Sequence, residues 1–276
     1  MTNVPILLYH DIHPDAAKPK NIYAVSESEF RRQIKYLHHN GYAGVSLARF
    51  LKEMQAAKEK GEVEEKEKGA PEAASGAPDT RRKVILTFDD GDISNSEVAA
   101  PVLKEAGFSA TFFVTVSDIG KDGRMSWEKI YELSREGMDV GSHAMTHAFL
   151  PSMSSYTLLN ELLLSKQVLE KYIRRQVDFL SVPHGFYTKG ILGIARDVGF
   201  KAVCVSDAGY NDFLDEDVFC LLRFAMRHSY GLEAFRSIVS GAPQLGVVAV
   251  ENTRTFLRKV LGYRFYHKLR SLAKRT

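Results

Sequence analysis

Short apolar runs alternate with segments of helical periodicity along most of the chain. Stretches at 4–9, 84–88, 110–116, 138–141, 177–182 and 201–205 are apolar and rich in β-branched or aromatic residues, and they predict buried strands. Between the first two, Phe30, Ile34 and Leu37 share one helical face, and Ser26 with Glu29 makes a capping box ahead of it. Further helices are predicted at 46–54, from about 94 to Gly107, and at 126–136, 156–173, 189–198 and 231–239. Gly107, Gly137 and Gly199 stand where a helix C-cap needs them. The run 246–250 reads as a last strand. This alternation predicts parallel strands covered by helices, in a barrel or a doubly wound sheet.

The pattern breaks once. From Gln55 to Arg82 there is no Leu, Ile, Phe, Tyr or Trp, and Lys and Glu mix before the segment APEAASGAP. Such a stretch cannot bury enough apolar area to offset its ordering entropy, so a mobile insertion within one domain is expected, its first part extending the preceding helix. Composition supports a single large core: 276 residues, 45% apolar and 26% charged. Charge divides the chain differently. The net +3 includes eight Lys/Arg and no acid in 254–276, so the remainder carries a net −5. That excludes a uniformly basic nucleic-acid coat and separates a domain over 1–253 from a basic tail over 254–276. The tail interleaves cations with Phe, Leu and Tyr. It either docks on the domain as a helix or lies on an anionic membrane surface.

Cys204 and Cys220 sit in apolar runs and read as core residues. The opening MTNVPILLYHDI lacks the pattern of a secretory signal, and no run reaches 18 apolar residues, so a cytoplasmic location is expected, peripheral at the inner membrane face if the tail makes that contact.

Three segments carry the candidate chemistry, and each follows a predicted strand. Asp89, Asp90 and Gly91 end the run 84–88; two adjacent carboxylates there repel unless a cation sits beside them. A glycosidase pair is disfavoured, because neighbouring side chains diverge on a strand. His143 and His147 follow 138–141 and converge on one metal if the segment coils. In a parallel α/β structure all such strand ends share one face. Asp90, His143 and His147 would then leave an open coordination position, the composition of a catalytic rather than a structural metal site. The third segment, Pro183-His184-Gly185, is a tight bend able to turn a backbone N–H toward the metal.

Together Thr87-Phe88-Asp89-Asp90-Gly91, Ser142-His143 to Thr146-His147 and Pro183-His184-Gly185 resemble the polysaccharide deacetylase family, the NodB-homology carbohydrate esterases. The opening Pro5-Ile6-Leu7-Leu8-Tyr9-His10 is similar to the first strand of the family's bacterial branch. The resemblance implies a distorted (β/α) barrel and a Zn-like divalent metal on Asp90, His143 and His147. It also implies Asp89 as general base, the His184 backbone N–H as oxyanion donor and an N-acylated carbohydrate as substrate. His10, at a strand end, is a further candidate to line the substrate site. The family's pattern is not complete here. Ser181 stands where an arginine usually holds the catalytic aspartate, Ala144 replaces a hydroxyl residue, and the late acid pair reduces to His228 and Asp207. His184 is a second candidate for the acid. The expected activity is removal of an acetyl or formyl group from an amino sugar. Two readings stand beside it: the same machinery on a non-sugar amide, and a carbohydrate-binding pseudoenzyme.

Overall fold

A computed structural model describes residues 3–66, 82–213, 218–249, 251 and 253. Eight strands form the main sheet, all pairing in parallel: β1 (Ile6–Tyr9), β2 (Tyr42–Val45), β3 (Arg82–Phe88), β4 (Thr111–Val114), β5 (Asp139–Ser142), β6 (Phe179–Ser181), β7 (Ala202–Cys204) and β8 (Phe224–Ala225). The spatial order is β7-β6-β5-β4-β3-β1-β8, with β2 beside the first half of β3. Seven helices lie between and after them: α1 (Glu27–His39), α2 (Leu47–Lys66), α3 (Ala100–Glu105), α4 (Trp127–Arg135), α5 (Ser155–Ile173), α6 (Lys189–Asp197) and α7 (Leu232–Val239).

Local chemistry explains most of these boundaries. Ser26 caps α1 by accepting from the Glu29 N–H, and Ser126, Ser154 and Thr188 cap α4, α5 and α6 in the same way. β1, β2 and β4 are buried along their whole length, as expected of strands covered on both faces. The core is divided by the sheet: Leu7, Tyr9, Leu86, Phe88, Phe112 and Leu180 pack with the inward faces of the helices, and Ile6, Val45, Ile85, Phe113 and Phe179 form a second cluster.

The sheet curls into a distorted (β/α) barrel, and one short segment approaches both margins. The Leu221 N–H donates to the Val203 carbonyl at 2.8 Å and its carbonyl accepts from the Val205 N–H at 2.9 Å, on the β7 side. Three residues later β8 pairs with β1, Phe224 opposite Leu7 and Ala225 opposite Leu8. Arg223 is carried inside this seam.

One sequence expectation needs adjustment, and one holds. The run 246–250 is not a strand: residues 245–249 are helical, with the Val248 N–H bonded to the Gln244 carbonyl. Periodicity cannot separate a strand from a helix over so short an apolar run, and the last sheet strand is β8 instead. Helix α2 runs to Lys66, well into the Leu-free stretch, because its Ala, Glu and Lys are strong helix formers. Residues 67–81 and the basic tail at 254–276 lie outside the described residues. No described helix is long and apolar enough to cross a membrane.

The barrel's tightest point lies beside the second motif. A Cβ at Gly141 would meet the Phe113 ring at 2.4 Å and the Phe179 carbonyl oxygen at 3.1 Å. Overpacking of this kind costs about 1–3 kcal/mol. Gly141→Ala should therefore lower stability by about that amount in urea unfolding; an unchanged midpoint would show that β4 and β5 are not packed this closely.

Candidate active site

The three motifs meet at the carboxyl ends of β3, β5 and β6, the face on which parallel strands deliver their following loops. Asp90 Oδ1 lies 3.3 Å from Nε2 of His143 and 3.3 Å from Nε2 of His147. One ligand atom from each residue falls within 4.8 Å of the others. Ligands held about 2.0–2.1 Å from a tetrahedral ion sit roughly 3.3–3.4 Å apart, so both Asp90–His distances match such a site and the donor set suits a divalent metal in kind. The His143 Nδ1 is 2.8 Å from the Ser181 carbonyl oxygen. A carbonyl only accepts, so the Nδ1 carries a proton, and Nε2 is the nitrogen turned toward the cluster. His143 is buried, while Asp90 and His147 are partly open.

Backbone strain marks the same place. Among the described residues the non-glycine positions with positive φ are Asp90, Ala144, His147, Arg174 and His184. Arg174 ends α5 as a left-handed cap; the other four fall within the three motifs. Gly91 follows Asp90 at φ +66°, and a Cβ there would also meet the Val114 side chain at 3.0 Å. Such conformations cost on the order of 1–3 kcal/mol each and persist where surrounding contacts over-determine them. Helix α5 supplies those contacts for the histidine loop. Glu161 accepts from the Thr146 N–H at 2.6 Å and its hydroxyl at 2.7 Å, and Ser165 pairs with Ser142, whose Oγ accepts from the Ala144 N–H at 3.0 Å. Ala144 itself is buried in the core, which leaves no room for a larger side chain.

Asp89 is held differently. Arg223, fully buried, donates from Nη1 to Asp89 Oδ1 at 2.9 Å and from Nη2 to Oδ2 at 2.8 Å. Ser181 Oγ donates to the same Oδ2 at 2.9 Å, and Arg223 Nε donates to the Val205 carbonyl at 2.9 Å. The arginine that the third motif lacks is thus supplied from the barrel seam, and Ser181 adds a donor rather than leaving a gap. Burial pushes the Asp89 carboxyl up, but the Arg223 guanidinium and the His143 imidazole outweigh it and hold its pKa below the ordinary value. For Asp90, burial is outweighed by hydrogen bonds from His143 and His147, and its pKa lies well below 3.8. Burial lowers the His143 imidazole, yet Asp89 and Asp90 raise it above 6.5.

The remaining candidates separate. His10 stacks on Tyr23 with ring centroids 4.9 Å apart, and its Nδ1 is buried without a partner. Burial lowers its pKa against the pull of Asp90 and Asp89. The His184 ring meets the His147 ring at 4.5 Å, with Nε2 3.2 Å from the His147 carbonyl oxygen. His228 is exposed in a turn, its backbone N–H bonded to the Ile22 carbonyl, and it forms no hydrogen bond or ion pair with the cluster. Asp207 is buried, and its carbonyl accepts from the Arg223 N–H. Trp127 stacks on Tyr172 at 4.0 Å.

Comparison with known proteins gives the same answer as the motifs. The polysaccharide deacetylase family model matches residues 76–203. YxkH of Bacillus subtilis, assigned by its name to the polysaccharide deacetylases, is 28% identical over 75% of this chain and 65% of its own length. The poly-beta-1,6-N-acetyl-D-glucosamine N-deacetylase of Staphylococcus aureus is 24% identical over 65% of this chain and 60% of its own. The chain therefore spans about two thirds or less of the length of these curated relatives. Among solved structures, the Streptococcus pyogenes deacetylase PplD in complex with acetate superposes with a TM-score of 0.69 at 23% identity, covering 86% of this chain and 98% of that one. Residues 76–203 match the polysaccharide deacetylase family model, and the barrel shares its fold with the solved deacetylase.

Proposed function

We infer that this chain is a metal-dependent hydrolase that removes an acetyl group from an N-acetylated amino sugar within a saccharide. The observation that carries the reading is a buried, arginine-held carboxylate, Asp89, adjacent in sequence to an Asp–His–His donor set of metal-ligand spacing. Asp90, His143 and His147 would hold the ion, Zn²⁺ by their donor chemistry. When bound, such an ion polarises an acyl carbonyl and acidifies water beside it.

The chain's own groups then have distinct tasks. An ionised carboxylate offers about four lone-pair sites. Arg223 and Ser181 occupy three of those on Asp89 and leave one to take a proton from water. The low pKa makes Asp89 a weak base, sufficient only for water already acidified. The His184 backbone N–H, at a left-handed turn beside His147, is assigned to the developing oxyanion. His10, whose Nδ1 is buried without a partner, would line the substrate side of the site. The binding-only reading rests on a missing arginine and an unclear general acid, and Arg223 supplies the first.

The direct test is metal content with acetate release. Purified protein should carry about one divalent ion per chain and release acetate from N-acetylglucosamine oligomers, and Asp90→Asn should lose both. A native protein that binds no metal, or that keeps its activity as Asp90→Asn, overturns the reading.

The pH dependence has a definite sign. Asp89 and Asp90 hold the His143 proton above its ordinary pKa, and ligation requires its loss. Below that raised value metal affinity should fall with pH, and titration calorimetry in buffers of different ionisation enthalpy should show about one proton released per ion bound. In the metal-free protein the same group works in reverse: its contribution to stability is complete below 6.5 and is lost as pH rises through the raised value. Binding without proton release at pH 6 would contradict ligation through His143.

Breaking the Arg223–Asp89 pair leaves a buried charge uncompensated, which costs about 3–5 kcal/mol. Arg223→Leu should lose that much in denaturant unfolding, and Arg223→Leu/Asp89→Asn should recover part of it while remaining inactive. Arg223→Lys keeps the charge but not the fork, and a fall of about 100-fold in kcat is expected from misplacement alone. Wild-type stability in Arg223→Leu would show that the pair is not formed.

A further inference from the structure

The chain leaves β3 through two consecutive left-handed residues, Asp90 at φ +71° and Gly91 at φ +66°. Their carbonyls are both received by residues just ahead of α4. Arg124 Nη1 donates to the Asp90 carbonyl at 2.9 Å, and the Met125 N–H donates to the Gly91 carbonyl at 3.0 Å. The two segments lie antiparallel, with Asp92 opposite Arg124 and the Ile93 N–H bonded to the Gly123 carbonyl at 3.0 Å. Residues 123–125 thus splint the first motif. The two main-chain bonds would form with any side chain at 124. The bond to the metal-ligand residue itself depends on arginine.

The partner that Arg124 takes is informative. It lines one cavity with Asp90, Asp92 and Asp122, yet among the described residues it forms no ion pair. Asp92 is served instead by Ser94 and Lys20. The partly buried guanidinium reaches past these carboxylates to a neutral carbonyl, and what it gains there is control of a peptide plane. Holding the Asp90 carbonyl fixes the Asp90–Gly91 peptide, and with it the direction in which the Asp90 side chain leaves the backbone. A left-handed aspartate without that hold is free to relax toward commoner backbone conformations. Such a rotation would carry Oδ1 away from the Nε2 atoms of His143 and His147, each 3.3 Å from it.

We propose that Arg124 is a positioning residue for the metal centre, keeping the Asp90 carboxylate in ligand geometry by holding the Asp90 carbonyl. The proposal rests on Asp90, His143 and His147 as the metal ligands and adds a residue outside all three motifs, 34 positions along the chain from the ligand it serves. Its charge gives the test a sign. As a point charge beside a divalent cation, a guanidinium weakens binding. As the group that orients a ligand, it strengthens binding, and partners of that kind are worth about 10–100-fold in metal affinity. Removing charge and donor together therefore separates the two roles.

The experiment compares wild type with Arg124→Met and with Arg124→Gln, a shorter, polar replacement that carries the same test if the methionine variant does not fold. Zn²⁺ affinity is measured by competition with a chromophoric chelator, ligand geometry by the absorption spectrum of the Co²⁺-loaded protein, and the position of Asp90 by crystal structures of the metal-free proteins. The variants should bind Zn²⁺ about 10–100-fold more weakly. Their Co²⁺ bands should shift, and Asp90 Oδ1 should stand away from both Nε2 atoms. Zn²⁺ affinity that is unchanged or tighter, with or without a loss of stability in urea, would overturn the proposal. So would a metal-free variant with Oδ1 still in place. A wild type that binds no Zn²⁺ sinks the metal-dependent reading alone, because the metal-free structures still decide whether Arg124 sets the position of Asp90.

Discussion

An ion pair at the centre of a barrel sets the terms for everything around it. Neither Asp89 nor Arg223 can be charged alone where they lie, because an isolated ion in such a place costs many kcal/mol. The pair forms only if β3 brings Asp89 to its end and the segment 221–225 closes the sheet between β7 and β1. The Asp89–Arg223 pair and barrel closure are therefore coupled. Ser181 donates to Asp89 Oδ2, and its carbonyl accepts a hydrogen bond from His143 Nδ1. A chain of contacts thus runs from the seam through Asp89 and Ser181 to the metal-ligand imidazole, each link buried.

The strain in the motif loops has the same origin. Asp90, His147 and His184 adopt left-handed backbone conformations although none is glycine. Asp90 and His147 belong to the candidate metal group, and glycine in their place would relieve the backbone at the expense of those ligand atoms. Glu161 and Ser165 from α5 hold the histidine loop, and the rigid strand β5 anchors its start. Gly91 is where the chain could use glycine, and there the crowding by Val114 demands it as much as φ does.

Much of this was legible beforehand, for identifiable reasons. Strands such as β1 and β3 are long apolar runs with abrupt polar ends, and Ser26, Ser126, Ser154 and Thr188 cap their helices as their residue types suggest. Asp90, His143 and His147 were found because motif spacing and strand ends together predict convergence. Arg223 was not, because it lies more than forty residues beyond Ser181 and reaches Asp89 only through closure of the sheet. A signal was present: a single arginine in the apolar run 218–226, where a charge must find a partner. Glu161 was masked for a different reason, since an acid on a long helix normally faces solvent. The misread run at 246–250 is too short for its period to distinguish helix from strand.

The central claim is that two imidazoles and one carboxylate gather a single ion while the neighbouring carboxylate stays outside its coordination sphere. X-ray absorption spectroscopy at the metal edge of the loaded protein tests this directly. The account predicts two nitrogen ligands and one carboxylate oxygen at about 2.0–2.2 Å, with a solvent oxygen completing the set, and the same spectrum from Asp89→Asn. A first shell without imidazole nitrogens, or one altered by Asp89→Asn, would contradict it.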